Sequence, residues 1–244
     1  MSLEPAYLVH YAVGTLAIAL WWGAMLNRKG SPRHRRFGRW FLAARAGSLV
    51  TVGLIFFASS RQFAPPQAVQ FAYLVLCVIA VGGTAFAAIR LRRDPDRFRG
   101  RWFLALGVAA FLGGAVVLVA GIATADPMPL IFSVIGLLYG GAMIRFARFR
   151  GELHPNWWLG WHLNGMCFLF NAVHGTFLAV AWRALADPAA GEEVQIVTQL
   201  GTMAISLALR LWFGRRFDAP LRFARPAASP TPPRWPDSPP APTA

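Results

Sequence analysis

The stretch from Trp102 to Thr124, WFLALGVAAFLGGAVVLVAGIAT, decides the class of this protein. It carries no charged side chain, and it is slightly longer than the roughly 20 residues that a helix needs to cross the hydrocarbon core of a bilayer. A helix on the surface of a soluble protein needs a polar face, whereas this stretch is apolar on every side. It therefore predicts a transmembrane helix.

Six further stretches have a similar length and composition, and none of the seven contains an Asp or a Glu. They are Pro5–Leu26, Trp40–Ser60, Ala68–Arg90, Pro127–Phe146, Trp157–Trp182 and Val194–Phe213. The sequence therefore predicts an all-α polytopic membrane protein whose seven transmembrane helices lie within residues 1–216. Residues 217–244 are rich in proline and cannot bury enough apolar surface to fold, so we expect a disordered cytoplasmic tail there.

The basic residues predict the orientation of the chain. Of the 24 Lys and Arg residues, only Arg61 and Arg183 fall on one side of the membrane when the loops are numbered alternately. Short cytoplasmic loops carry the excess of Lys and Arg. We therefore expect a protein of the bacterial inner membrane with a periplasmic N-terminus and a cytoplasmic C-terminus. Met1–Tyr7 has no positive side chain, so we expect the first helix to be retained rather than cleaved as a signal peptide.

The formal net charge of +14 is also typical of proteins that bind nucleic acid. The charges here lie at helix ends instead, where they favour the lipid bilayer and the anionic phospholipids of its surface as partners. The sequence thus predicts no nucleic-acid partner. Arg45 and Arg210 lie near predicted cytoplasmic helix ends, and we expect both to snorkel toward the headgroups.

A short repeat indicates how the helices are grouped. Gly38–Ala43 reads GRWFLA, and the same six letters recur at Gly100–Ala105. Each copy follows a basic loop and opens a helix, and Arg145–Trp161 contains a degenerate third copy. The repeat favours three transmembrane hairpins followed by one further helix.

The five histidines are the candidates for chemistry, because ionisable residues inside a bilayer are expensive to bury. His10 and His174 are predicted to lie at similar outer depths on the first and sixth helices. A bis-histidine haem needs two such imidazoles that face each other from different helices. His162 is predicted near the cytoplasmic end of the sixth helix, with His34 and His154 in adjoining loops, so a second, inner site is open to the same interpretation.

Asn164 and Asn171 lie seven residues apart on one stripe of the sixth helix, and hydrogen bonding between helices is their ordinary role. A ligand contact is the alternative for these two amides. For the membrane histidines, packing, contact with a quinone or other small molecule, and haem ligation all remain open. The chain has no CxxCH motif for covalent haem and no metal-binding, phosphate-binding or nucleophile motif, so the sequence does not favour an enzyme.

Several blocks of this sequence, taken in their order, resemble an uncharacterised bacterial family of multi-pass membrane proteins that is known as a domain of unknown function. The blocks are His10 with Gly14, Arg28-Lys29-Gly30, His34-Arg35, Gly38-Arg39 and Trp161-His162-Leu163-Asn164-Gly165-Met166. The resemblance implies that His10, His34 and His162 are the positions to test first, and it leaves His174 outside the pattern. It implies no established activity.

Two functions of different class follow. The first is an integral membrane protein that binds or carries a small hydrophobic ligand, a lipid or a quinone, in its helix bundle. The alternative is a b-type haem redox protein with intramembrane histidine ligands. His10, His162 and His174 are the predicted cofactor-binding residues, and His34, Asn164 and Asn171 are the predicted ligand-binding residues. A homo-oligomer is compatible with either function.

Overall fold

Seven long helices run through the chain, for which a computed structural model describes residues 5–58 and 65–224. Each is long and apolar enough to cross a membrane. They are α1 (Pro5–Leu26), α2 (Pro32–Ala58), α3 (Pro65–Arg90), α4 (Arg101–Thr124), α5 (Pro127–Arg148), α6 (Trp157–Leu185) and α7 (Glu192–Arg216). A single helical turn, Pro95–Phe98, precedes α4. The predicted all-α fold with seven transmembrane helices is confirmed.

The second helix begins well before the predicted Trp40. Ser31 accepts a hydrogen bond through its hydroxyl from the backbone N–H of His34, at 3.2 Å. A serine at this position caps the first turn, and Pro32 is preorganised for a helix start because its φ is fixed. The basic segment predicted as a loop is therefore largely helical, which places His34 on α2.

The sixth helix forms the centre of the bundle. Half of its most apolar stretch is buried, against 17% for α1. It packs against α3, α7 and α1, while α4 packs between α3 and α5. Helix α2 lies at the edge, where it packs along α1 and meets α3 through the rings of Phe56 and Phe71, 5.7 Å apart.

The three predicted hairpins differ in how their helices meet. Helices α1 and α2 pack closely along their length, and α3 packs against α4. Helices α5 and α6 meet through aromatic rings, since Phe146 stacks on Trp157 at 5.6 Å and Tyr139 meets Trp161 edge-on at 5.5 Å. The backbone of α5 instead lies close to α4, because Gly107 leaves no side chain between that helix and Met143.

A π-helical turn, Gly136–Gly140, interrupts α5. The hydroxyl of Tyr73 on α3 accepts from the N–H of Gly136 and donates to the carbonyl of Phe132, both at 2.9 Å. The π-helical turn leaves an N–H and a carbonyl without their usual helical partners, and the Tyr73 hydroxyl hydrogen-bonds both. Irregular backbone is tolerated at membrane depth when its polar groups find such partners. Tyr73 therefore fastens α3 to α5.

The segment 217–224, which the sequence places in the disordered tail, packs back on the inner end of the bundle. By inner end we mean the end that carries the α1–α2 loop and is predicted to face the cytoplasm. Ala219 is buried, and the carbonyl of Phe223 accepts from the N–H of His154 at 2.8 Å. The ring of Phe223 lies edge-on to Phe146, with the centroids 5.0 Å apart. Hence the predicted tail boundary at residue 217 is too early; residues 225–244 lie outside the described part of the chain.

Candidate functional site

Two histidines at the inner end of the bundle carry the candidate site, and the first is His34 on α2. Its Nδ1 lies 2.8 Å from the carbonyl oxygen of Ala24 on α1. A carbonyl only accepts hydrogen bonds, so Nδ1 carries the proton and a neutral ring has its lone pair on Nε2. Within residues 5–58 and 65–224, the structure gives this Nε2 no hydrogen-bond partner.

His162 on α6 is held in the same way. Its Nδ1 lies 3.1 Å from the carbonyl oxygen of Ala85 on α3. The approach of the two helices depends on Gly165, because a Cβ there would lie 2.6 Å from the Cβ of Ala85 and 2.8 Å from the carbonyl oxygen of Val81. The Nε2 of His162 is likewise without a partner among the described residues, so both rings leave a lone pair free.

The two imidazoles lie close enough for the charge of His34 to act on His162. Lys29 lies close enough to His34 for its charge to act on that ring in the same way. The Nζ of Lys29 donates to the carbonyls of Ala24 and Met25 and lies 5.2 Å from the centre of the Phe213 ring. Burial lowers the pKa of Lys29. We call His34, His162 and Lys29 the inner histidine site.

His174 has a different role. Its Nε2 accepts from the indole N–H of Trp22 at 3.0 Å, and its Nδ1 donates to the carbonyl of Phe170 at 2.9 Å. Its ring stacks on that of Phe170, with the centroids 4.1 Å apart. Both nitrogens are therefore used in packing between α1 and α6, and neither is left for a ligand.

The structure does not bring His10 and His174 together. The Nδ1 of His10 bonds the hydroxyl of Thr51 on α2 at 2.8 Å. His174 contacts Trp22, which is 12 residues farther along α1 and hence ~18 Å away along the helix axis. The expected pairing of His10 and His174 around one haem therefore has no support in the structure.

The two asparagines hold α6 to α7. Asn171 accepts from the hydroxyl of Thr202 at 2.7 Å, and Asn164 accepts from Nε of Arg210. The facing side of α7 carries polar residues at helical spacing, namely Gln199, Thr202, Ser206 and Arg210, all of them buried. Polar side chains hydrogen-bond across membrane helices in this way, so the structure uses both amides for packing.

Arg210 does not snorkel as the sequence suggested. It is only 5% exposed, and its remaining donors bind the carbonyls of Ala219 and Pro220. The sequence does contain a signal for this burial, since Arg210 follows Thr202 and Ser206 at helical spacing. A polar stripe on a membrane helix indicates that this face packs against another helix. His154 lies in the loop before α6, where its Nδ1 accepts from the N–H of Asn156 at 3.1 Å.

No group of three His, Cys, Asp or Glu side chains within the described ranges 5–58 and 65–224 could hold a metal ion. Comparison with known proteins adds nothing to this geometry. No protein-family model, no curated protein and no solved structure matches the chain. The site must therefore be interpreted from its own chemistry.

Proposed function

We propose that this chain is an integral protein of the bacterial inner membrane that binds or carries a small hydrophobic ligand, with the ligand's polar head at the inner histidine site. The class of ligand is a quinol or a lipid alcohol, in which a hydroxyl group is joined to an apolar tail. This proposal keeps the interpretation reached from the sequence and moves the head of the ligand to His34 and His162.

One observation carries the proposal. The two imidazoles come from different helices, each has its Nδ1–H tied to a main-chain carbonyl, and each leaves Nε2 as a free acceptor. A neutral ring whose Nδ1–H is fixed in this way presents Nε2 as an acceptor, and a ligand hydroxyl is a donor that can bond it. The apolar helices beside the site suit the tail of such a ligand. The role proposed is binding or carriage rather than catalysis.

The same nitrogens favour a second candidate, a b-type haem protein. Histidines that bind metals usually donate their other ring N–H to a carbonyl or carboxylate, which fixes the tautomer. A bis-histidine haem takes its two axial nitrogens from different helices, and His34 and His162 meet that condition. Haem would supply one-electron redox chemistry, while the carbonyls of Ala24 and Ala85 would orient its ligands.

Anionic phospholipids belong to the same proposal as surface partners. At the inner end of α3, an open surface groove of about 430 Å³ is lined by Phe86, Ala87, Arg90, Leu91 and Arg97. The guanidinium of Arg90 lies 5.6 Å from the centre of the Phe86 ring. Two guanidinium groups with no acid among the lining residues favour a phosphate headgroup.

An absorption spectrum distinguishes the two candidates. The protein is purified in detergent from cells supplied with haem, and its spectrum is recorded before and after reduction with dithionite. We expect no Soret band, and extraction followed by mass spectrometry then identifies the co-purified quinol or lipid. A Soret band that sharpens on reduction, with α and β bands, would replace the first candidate by the haem protein.

Variants then test the site itself. His34→Ala and His162→Ala each remove one acceptor, so we expect the co-purified ligand to fall about tenfold, the effect of losing a hydrogen bond of about 1.4 kcal/mol. His154→Ala is the matched control, because that histidine bonds the backbone of its own loop. Retention of the ligand at the unchanged level in both site variants would exclude this location.

A further inference from the structure

A second polar cluster lies between α1 and α2, and Arg45 is its centre. One terminal nitrogen of Arg45, Nη1, donates to the hydroxyl of Ser48 at 3.0 Å, and that hydroxyl donates back to the carbonyl of Arg45 at 2.8 Å. The Nε is buried and has no hydrogen-bond partner. Among the described residues Nη2 has no partner either, so one whole edge of the guanidinium is unsatisfied.

The unpaired edge of the Arg45 guanidinium is unusual because Arg45 lies near the middle of its helix pair. His10 bonds Thr51, and Val13 lies 3.6 Å from where a Cβ on Gly47 would be, so Arg45 lies opposite the middle of the 22-residue helix α1. That is about 15 Å from either end of the helix. A cation at such a depth is costly without an anionic partner.

Within residues 5–58 and 65–224, no carboxylate lies at this depth. Its acidic residues all lie in loops, at helix ends or near the termini, namely Glu4, Asp94, Asp96, Asp126, Glu152, Asp187, Glu192, Glu193, Asp218 and Asp237. A second copy of the chain would bring the same set. The described part of the chain therefore supplies no anion to balance Arg45, and a different molecule is the source that we consider.

His10 adds an acceptor beside this donor. The hydroxyl of Thr51 donates to the carbonyl of Ser48 at 2.9 Å, so its oxygen is left to accept from Nδ1–H of His10. The lone pair of a neutral His10 is then on Nε2, and no described residue bonds it. Arg45 lies within electrostatic range of this ring. We call Arg45, His10, Ser48 and Thr51 the seam cluster.

We propose that the seam cluster binds the carboxyl head of a long-chain fatty acid taken from the bilayer. The Nε–H and Nη2–H of Arg45 form the parallel pair of donors that matches the two oxygens of a carboxylate. In the neutral acid, the O–H donates to Nε2 of His10 while the carbonyl oxygen accepts from Arg45. Leu49 and Val52 lie one and two turns along α2 from Arg45, on the same side of that helix, and both are apolar and half-buried. The acyl chain lies along this side of α2.

A carboxyl head fits better than the other heads that a membrane offers. One guanidinium edge balances one planar, singly charged group, and a phospholipid headgroup belongs to the surface rather than to the middle of the bilayer. A quinone carries no charge to offset that of Arg45. A partner helix with an Asp or a Glu is the competing occupant, and the experiment below separates it from a fatty acid.

Binding of radiolabelled palmitate to the full chain in phosphatidylcholine nanodiscs tests the proposal. We expect saturable binding that Arg45→Gln weakens about tenfold, because the paired, charge-assisted hydrogen bonds are lost. Arg45→Lys keeps the charge without the paired donors, and we expect an intermediate loss. Arg36→Gln is the matched control, since Arg36 lies on the same helix, loses the same charge and is exposed.

Palmityl alcohol, with the same chain but no carboxyl group, is the control ligand, and its binding should not depend on Arg45. His34→Ala and His162→Ala should leave palmitate binding unchanged. A result against the seam cluster can therefore be told apart from a result against ligand binding at the inner histidine site. Equal palmitate binding by wild type and Arg45→Gln, or no saturable binding to wild type, would overturn the proposal and favour a partner helix. If Arg45→Gln does not fold, His10→Leu serves as the second variant, and unchanged palmitate binding by it would count against the site.

Discussion

At the scale of single residues, hydrogen bonding separates histidines that the sequence treats alike. His174 uses both ring nitrogens, on Trp22 and on the carbonyl of Phe170. His34 and His162 each use only Nδ1, on a main-chain carbonyl. A histidine with both nitrogens engaged serves packing, whereas one with a fixed ring and a free nitrogen is prepared for a ligand.

The first prediction follows from this difference. His174→Phe removes the acceptor of the Trp22 indole N–H, and we expect the free energy of unfolding in detergent to fall by about 1 kcal/mol, as for other hydrogen bonds between membrane helices. Binding at the inner histidine site should not change. Thermal unfolding and the amount of co-purified ligand, measured on one preparation, check the two parts. Loss of the ligand in this variant would show that His174 contacts it.

At the scale of elements, the last eight described residues act as a strap across the inner end of the bundle. The carbonyls of Ala219 and Pro220 accept from the guanidinium of Arg210, and the side chain of Asn156 donates to the carbonyl of Asp218 at 3.1 Å. Backbone pairing of Leu153 with Ala224 closes the strap on the loop before α6. Arg210 has no carboxylate partner among the described residues, and its guanidinium is instead hydrogen-bonded by two backbone carbonyls and by the side-chain amide oxygen of Asn164.

Replacement of this arginine should release the strap. Arg210→Ala leaves the oxygens of Asn164, Ala219 and Pro220 without their donor, and an unpaired buried acceptor costs about 1–3 kcal/mol. We therefore expect lower stability and faster trypsin cleavage after Arg222.

Arg215→Ala is the control for that experiment, because Arg215 lies at the same end of α7 and is exposed. Limited proteolysis followed by mass spectrometry gives the cleavage rate. Equal rates for both variants and wild type would mean that Arg210 does not hold the strap.

At the scale of the whole molecule, the bundle is organised around α6, which contacts α1, α3 and α7. The two proposed sites lie in different parts of it. The inner histidine site joins α2 to α6 near the strap, whereas the seam cluster lies between α1 and α2 alone. The two sites share α2 but no side chain, so each site can be changed without removing a side chain of the other.

The orientation of the molecule is a prediction at this scale. The excess of Lys and Arg at one end of the bundle predicts that this end faces the cytoplasm. A reporter fused within the α6–α7 loop at Ala190 should be periplasmic, and one at Ala244 should be cytoplasmic. Paired alkaline phosphatase and green fluorescent protein fusions measure this. Activity of the phosphatase at Ala244 with fluorescence at Ala190 would reverse the orientation.

Some of this protein can be derived from the order of its residues alone. The seven helices follow from the length and apolar character of each stretch, since a bilayer demands both locally. The polar stripe on α7 can also be derived from the sequence, because residues three to four positions apart lie on the same face of a helix. The start of α2 was missed because the basic segment looks like a loop, although Ser31 and Pro32 mark a helix start.

The partners of the polar side chains were decided only by the tertiary structure. Hydropathy places a histidine at a depth but says nothing about which carbonyl or hydroxyl it meets on another helix. Ala85 meets His162 across 77 positions of sequence, and Trp22 meets His174 across 152. The physical reason is that transmembrane character is set residue by residue against lipid, whereas hydrogen-bond partners depend on how helices distant in sequence pack against one another.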